Sequence, residues 1–408
     1  MIMGFWQRIF SSLKIRNYRL YFIGQAVSLS GTWMQIIAQS WLVLQLTGSG
    51  TAVGIATAFQ FLPMLFLGPW GGLIADRFPK KKILYITDTL SAILALVLGV
   101  LVLSGLIKVW MVYILALFLG LINIVDNPTR QTFVSEMVDR ENLSNAITLN
   151  SIEMNLARVV GPALAGALIV SVGLGLCFII NSLTFAATII ALLMMNGKEL
   201  HLLPLAQKAK GQLREGFKYV MATPVIRNTL LMIAVIGTLT YEFSVSLALL
   251  AQFVFNGDAA IYGLLTSAMG AGSIIGGLVV ASRRKTGPGT LIAVAFLLGV
   301  FIFASAMAPV LWVALLLLAV SGFFSIYFIS TGNATLQLES LPQMRGRVMA
   351  LWGVVFLGSA PIGGPIVGWV GEYIGPRWGL GIGGIAAMVA AGIGALLLRN
   401  KTIKIAPD

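Results

Sequence analysis

Read for polarity alone, the chain alternates long apolar runs with short charged islands. Runs of roughly 19 to 26 mostly apolar residues begin near Leu20, Ala52, Ile83, Val109, Ala146 and Gly173, and again near Asn228, Ile261, Thr290, Val310, Val348 and Trp378. Each is long enough to cross a hydrocarbon core of about 30 Å as a helix. A helix satisfies its own backbone hydrogen bonds, which lipid cannot do for it, so the pattern predicts an all-α integral membrane protein of twelve transmembrane helices. Residues 196–227 are the most polar stretch and divide the runs six and six. The predicted organisation is an N-terminal segment 1–19, a six-helix half 20–195, a linker 196–227, a second six-helix half 228–398 and a tail 399–408. Phe5, Trp6, Ile9, Phe10 and Leu13 share one helical face, which predicts an amphipathic helix lying on the membrane surface.

The two halves echo one another. Gly71-Gly72-Leu73-Ile74-Ala75-Asp76-Arg77 closes the second run, and Gly276-Gly277-Leu278-Val279-Val280-Ala281-Ser282-Arg283-Arg284 closes the eighth. Gly161-Pro162 in the fifth run is matched by Gly364-Pro365 in the eleventh. Repeated six-helix halves are characteristic of transporters.

Composition removes the soluble alternatives. Apolar residues make up 58% of the chain and charged residues 10%, against roughly 45–50% and 25% in a soluble domain. A net charge of +13 raises the question of nucleic acid, but every Lys and Arg except Lys108, Arg377 and Arg158 falls in alternate polar segments. That is the positive-inside pattern, and it predicts a plasma-membrane protein with both termini cytoplasmic and no nucleic-acid partner. The first run is full length and lacks a small-residue cleavage pattern, so it is expected to stay in the mature protein. Cys177 and His201 are the only residues of their types, so no disulfide framework, metal centre or bound cofactor is expected. No Gly-x-x-x-x-Gly-Lys-Ser/Thr loop is present for ATP.

Gly72-Leu73-Ile74-Ala75-Asp76-Arg77, followed by Lys80, Lys81 and Lys82, resembles the loop motif between helices two and three of the major facilitator superfamily. Four further stretches are similar to its enterobactin-exporter and macrolide-efflux branch: Gly31-Thr32-Trp33-Met34-Gln35, Asp126-Asn127-Pro128-Thr129-Arg130-Gln131, Asn155-Leu156-Ala157-Arg158 leading into Gly161-Pro162-Ala163-Leu164-Ala165-Gly166, and Arg345-Gly346-Arg347-Val348. The resemblance runs from Asn17 to about Gly394. It implies helices one, four, seven and ten around a central cavity, with helices two, five, eight and eleven between the halves. It also implies alternating access by a monomer, with proton-coupled export of a lipophilic drug, a macrolide-like compound or a siderophore. Two departures stand out: Pro79 replaces the usual glycine of the loop motif, and the fourth span reads as lacking an embedded arginine.

Against that frame the polar residues sort by position. Gln25, Ser28, Thr32, Gln35 and Gln39 are spaced three, four, three and four, which puts them on one face of the first helix. They line a wet path or hydrogen-bond the bundle together. Glu242 stands mid-span in the seventh helix beside Tyr241, with Thr238 and Ser246 four residues either side. A carboxylate there is costly unless protonated, paired or wet, which suits proton coupling; a neutral, hydrogen-bonded Glu is the other reading. Arg158, the one basic residue placed deep in a span, needs Glu153, Asp126, Glu242 or an anionic cargo group as partner. Phe324 and Tyr327, beside Phe323 and Phe328 in the tenth span, offer aromatic bulk to a large cargo or to neighbouring helices. At the cytoplasmic mouth the resemblance implies a gate in which Asp76 meets the start of helix eleven near Arg345 and Arg347, while Arg77 pairs with Asp126. Lys80 to Lys82 and Asp88 are explained by topology and interfacial solvation.

Import or facilitated exchange of a small metabolite is the competing transport function; it would call for a more charged cavity. A membrane-embedded enzyme would need convergent acids or histidines, which one His and scattered acids do not supply.

Overall fold

The computed structural model describes residues 10–75, 77–201, 212–282 and 287–399. Asp76, the apolar face formed by Phe5, Trp6 and Ile9, and the tail beyond Arg399 lie outside the described residues. Among the described residues there are helices and no strands. In chain order the long helices are α1 (Arg16–Thr47), α2 (Gly50–Ala75), α3 (Lys80–Leu103), α4 (Val109–Met137), α5 (Arg140–Val172) and α6 (Leu174–Met194). Then follow α7 (Pro224–Leu239, broken, and resumed as Phe243–Leu249 with a π-helical turn Leu250–Val254), α8 (Ala259–Ser282), α9 (Pro288–Ala306), α10 (Leu311–Glu339), α11 (Arg345–Leu357, broken, and resumed as Ala360–Tyr373) and α12 (Pro376–Arg399). A short linker helix, Gln212–Ala222, precedes α7.

Eleven of the twelve are long and apolar enough to cross a membrane by composition. The exception is α1, whose 32 residues reach about 48 Å but whose hydropathy is diluted by its polar stripe. The helices outrun the apolar runs at their basic ends. α5 starts at Arg140 rather than near Ala146, and α4 continues through Pro128 to Met137. Asp139 caps α5: the backbone N–H and the side-chain amide of Asn142 both donate to its Oδ1 at 2.9 Å, which holds this exposed carboxyl below the usual range.

Packing repeats between the halves. In the first, α2 lies on α4, α1 on α5 and α6, and α3 on α6; in the second, α8 lies on α10, α7 on α11 and α12, and α9 on α12. The halves meet where α2 crosses α11 and where α5 crosses α8. The sequence echo has a steric cause. A Cβ on Gly71 would sit 2.0 Å from the Ile124 carbonyl oxygen of α4, and one on Gly276 would sit 2.4 Å from the Phe323 oxygen of α10, while Gly72 and Gly277 face open space. In membranes, where water gives helices no reason to associate, close backbone approach at small residues drives packing.

The contact between halves depends on the same device. A Cβ on Gly54 of α2 would lie 2.1 Å from the Gly364 carbonyl oxygen of α11, and one on Gly368 would lie 2.2 Å from the Gly50 oxygen. Gly54→Leu is therefore expected to cost about 1–3 kcal/mol through overpacking, read as a lowered thermal midpoint of the purified protein. Gly72→Leu, with nothing within 4 Å of its Cβ, should leave the midpoint in place. Equal midpoints for the two variants would contradict this packing.

Candidate functional site

α7 gives up its helix at Thr240, Tyr241 and Glu242. Backbone freed from a helix at this depth survives only where other groups or a cavity take it up. Thr240 Oγ1 donates to the Gly383 carbonyl oxygen of α12 at 2.7 Å, and the Tyr241 hydroxyl donates to the Ser325 carbonyl oxygen of α10 at 2.8 Å. The break turns Glu242 toward a cavity of about 280 Å³ between the halves. Its carboxylate rests against the glycine pair of α11: a Cβ on Gly363 would come 3.1 Å from Oε1, and one on Gly364 3.4 Å from Oε2. Glu242 is 4% exposed, and among the described residues no hydrogen bond or ion pair reaches its carboxylate.

Arg158 lines the same cavity from α5. Its guanidinium carbon lies 5.1 Å from the centroid of the Trp33 ring of α1, a cation–π contact, and its buried Nε has no hydrogen-bond partner. None of the acids considered from sequence pairs with it. Glu153 is buried with both carboxylate oxygens unpartnered, Asp126 is engaged elsewhere, and Glu242 shares the cavity without touching it.

The first-helix stripe divides by neighbour. Gln39 lines the cavity. Gln35 instead accepts from Asn181 Nδ2 of α6 at 2.5 Å, Gln25 accepts from Arg130 Nη1 at 2.9 Å, and the Thr32 hydroxyl bonds back to the Ser28 carbonyl oxygen at 3.0 Å. One face of a helix that touches α4, α6 and the cavity in succession has three different neighbours along its length. On α10 the cavity face carries Ser325, Ile326 and Ile329. Phe324 and Tyr327 point instead into a separate cleft beside α9, where Phe324 stacks on Phe301 with centroids 5.4 Å apart. α4 supplies no lining residue; α2, α5, α8 and α11 do.

A buried ionic cluster lies where solvated loops were expected. Arg130 of α4 pairs with Asp88 of α3 and, at 2.5 Å through Nε, with Asp126 one turn earlier, while Thr87 Oγ1 donates to Asp126 at 2.6 Å. Asp88 is fully buried, so interfacial solvation does not explain it, and α4 does carry an arginine. The sequence signal was the four-residue spacing of Asp126 and Arg130, hidden by Pro128, which reads as a helix end although α4 passes through it. Lys80, assigned to topology, is likewise buried, with Nζ 2.5 Å from Glu136 Oε1 of α4.

Of the gate expected at the basic face, Asp76 lies outside the described residues, and the Arg77–Asp126 pair is not formed. Arg77 is exposed and does not meet Asp126, which Arg130 and Thr87 occupy. Arg345 Nε donates to the Ser340 carbonyl oxygen at 3.3 Å, and Arg347 pairs with Glu215 of the linker helix at 2.6 Å. At the opposite face the halves are tied: Glu372, at the end of α11, accepts from Ser49 Oγ at 2.5 Å and from the Thr51 N–H at 2.9 Å. Glu372→Ala is expected to weaken this tie about two- to fivefold, seen as a wider distance distribution between spin labels on the α1–α2 and α11–α12 loops. An unchanged distribution would mean that the tie carries no load.

Two pseudo-symmetric six-helix bundles facing one another across a central cavity define a transporter of the major facilitator fold. The chain matches the family model described as transmembrane secretion effector over residues 8–405, and it belongs to that family. It is 25% identical over 353 residues to the staphyloferrin A transporter of Staphylococcus aureus (strain NCTC 8325 / PS 47), covering 84% of this chain and 87% of that one. It is 27% identical over 344 residues to the multidrug efflux pump Tap of Mycolicibacterium fortuitum, covering 82% and 84%, and 24% identical over 365 residues to macrolide efflux protein A of Streptococcus pyogenes, covering 86% and 89%. In fold it is similar to a bacterial homolog of the human lysosomal transporter Spinster in its inward-facing, unoccupied conformation. The TM-score is 0.75 at 15% identity, covering 96% of this chain and 98% of that one.

Proposed function

We propose that the protein is a proton-coupled exporter of amphipathic small molecules, with Glu242 as the residue that exchanges a proton for cargo. The observation that carries this reading is a carboxylate at a helix break, 4% exposed and unpartnered, on the wall of the cavity between the halves. A buried carboxylate with no fixed partner is stable only when it is protonated or faces a cationic ligand, so occupancy by one excludes the other. That exclusion is the basis of antiport. The relatives named for multidrug and macrolide efflux and for staphyloferrin A transport supply the cargo class: a lipophilic drug, a macrolide-like compound or a siderophore.

The halves, 20–195 and 228–398, rock about the cavity as units joined by the linker 196–227, in a single chain with its basic face toward the cytoplasm. The Glu372 tie holds the far face shut while the basic face is open; the loop carrying Asp76 and Arg77 closes against Arg345 and Arg347 when the cavity turns outward. Trp33, Gln39 and Tyr241 complete the binding surface.

The test is movement of a fluorescent lipophilic dye in proteoliposomes under an imposed pH difference. Dye movement that follows the sign and size of the gradient is expected. Movement indifferent to the gradient would remove proton coupling and leave facilitated exchange.

A further inference from the structure

Arg158 and Glu242 raise a question that proton exchange alone does not answer. Both line one cavity, both are charged types in a low-dielectric wall, and among the described residues neither has an ionic partner. A structural ion pair would have resolved both costs at once. Instead Arg158 sits over the Trp33 ring, a contact that uses none of its N–H groups and leaves a guanidinium fork for a planar acceptor. Glu242 is set against Gly363 and Gly364, where a side chain would have crowded it out. The rest of the wall is largely apolar, with Ile36, Phe61, Met269 and Ile329. Two opposite charges held apart in an apolar chamber are complementary to a molecule that brings both missing counter-charges.

We propose that the cavity selects amphiphiles carrying both an acid and a cationic group. The acid accepts hydrogen bonds from Arg158 and the cationic group faces ionised Glu242 in place of its proton. The proposal rests on the cavity being the transport site, and it narrows the cargo from lipophilic compounds in general to zwitterionic ones. It gives Arg158 a role as the acid-selecting residue, distinct from coupling.

Three dyes on one tricyclic scaffold separate the charges: rhodamine 110 is a zwitterion, rhodamine 123 is its methyl ester and a cation, and fluorescein is an anion. Fluorescence polarisation with the purified full chain at mildly alkaline pH is expected to show rhodamine 110 binding about tenfold more tightly than either relative, the size of one charge-assisted contact. Arg158→Gln should collapse the ratio of rhodamine 110 to rhodamine 123 to about one, and Glu242→Gln should collapse the ratio of rhodamine 110 to fluorescein. Arg158→Lys, which keeps the charge, should retain part of the preference, and size-exclusion profiles report whether each variant is folded. A native protein that binds rhodamine 110 no better than both relatives, or binds none of the three, overturns the proposal. So does an Arg158→Lys variant that is folded and has lost all preference for the zwitterion over the cation. Dye movement in proteoliposomes is scored separately. Gradient-driven movement without charge preference rejects only the zwitterion, whereas charge preference without gradient-driven movement rejects only the transport reading.

Discussion

Glu242→Gln is expected to abolish gradient-driven dye movement, by about 100-fold or more, the scale on which a proton-transferring group matters, while exchange of dye across the membrane without a gradient persists at dye concentrations raised about tenfold to offset the lost charge contact. Glutamine keeps the shape and the break in α7, because Thr240 and Tyr241 hold that break through Gly383 and Ser325. It cannot bind and release a proton. The variant is thus locked in the equivalent of the protonated state: the halves still rock, but no proton is carried on the return stroke. Loss of exchange along with coupling even at saturating dye would place Glu242 in the structural frame rather than in the coupling step.

The second large effect belongs to a residue outside the cavity. Arg130→Gln should destabilise the protein by about 3–5 kcal/mol, because it leaves buried Asp88 and Asp126 without their counter-charge. The guanidinium uses separate nitrogens for Asp88, Asp126 and Gln25, so Arg130→Lys should rescue only partly; an ammonium is one point charge without that fork. Neutralising the carboxylates as well, as Asp88→Asn with Asp126→Asn, should recover much of the loss, which distinguishes charge imbalance from lost packing. Thermal midpoints of the four proteins check this. An Arg130→Gln midpoint equal to the native one would show the cluster to be solvated.

Most of the fold was legible because lipid admits few alternatives. Apolar runs had to be helices, and the Gly71 and Gly276 echoes marked equivalent backbone crossings before any contact was visible. The site was legible in part, and the residues show why. Glu242 and Arg158 stood out because charges are rare inside spans, and both face the cavity. Gln25 and Gln35 lie on the same stripe as Gln39, but periodicity tells which residues share a face and not which neighbour each meets along 32 residues of helix. Phe324 and Tyr327 sit one helical step away from the face that carries Ser325 and Ile329, a rotation hydropathy cannot set. Lys80 and Asp88 were assigned to topology and interfacial solvation, and Arg130 stood out only as part of a motif, because apolar runs end where charges begin, whereas helices carry on and pair those charges inside the bundle. The break in α7 had no local signal comparable to Pro128, which does not break α4 at all, whereas the break in α11 falls at Gly358 with Pro361 opening the resumed helix.

The central claim is that cargo and proton compete for Glu242. The measurement that tests it most directly is proton release on ligand addition: purified protein in weakly buffered solution with a pH-indicator dye, titrated with rhodamine 110 until binding saturates. About one proton released per native chain is expected, and none from Glu242→Gln at equal occupancy. Equal proton release from both proteins, or binding by the native chain with none, would contradict it.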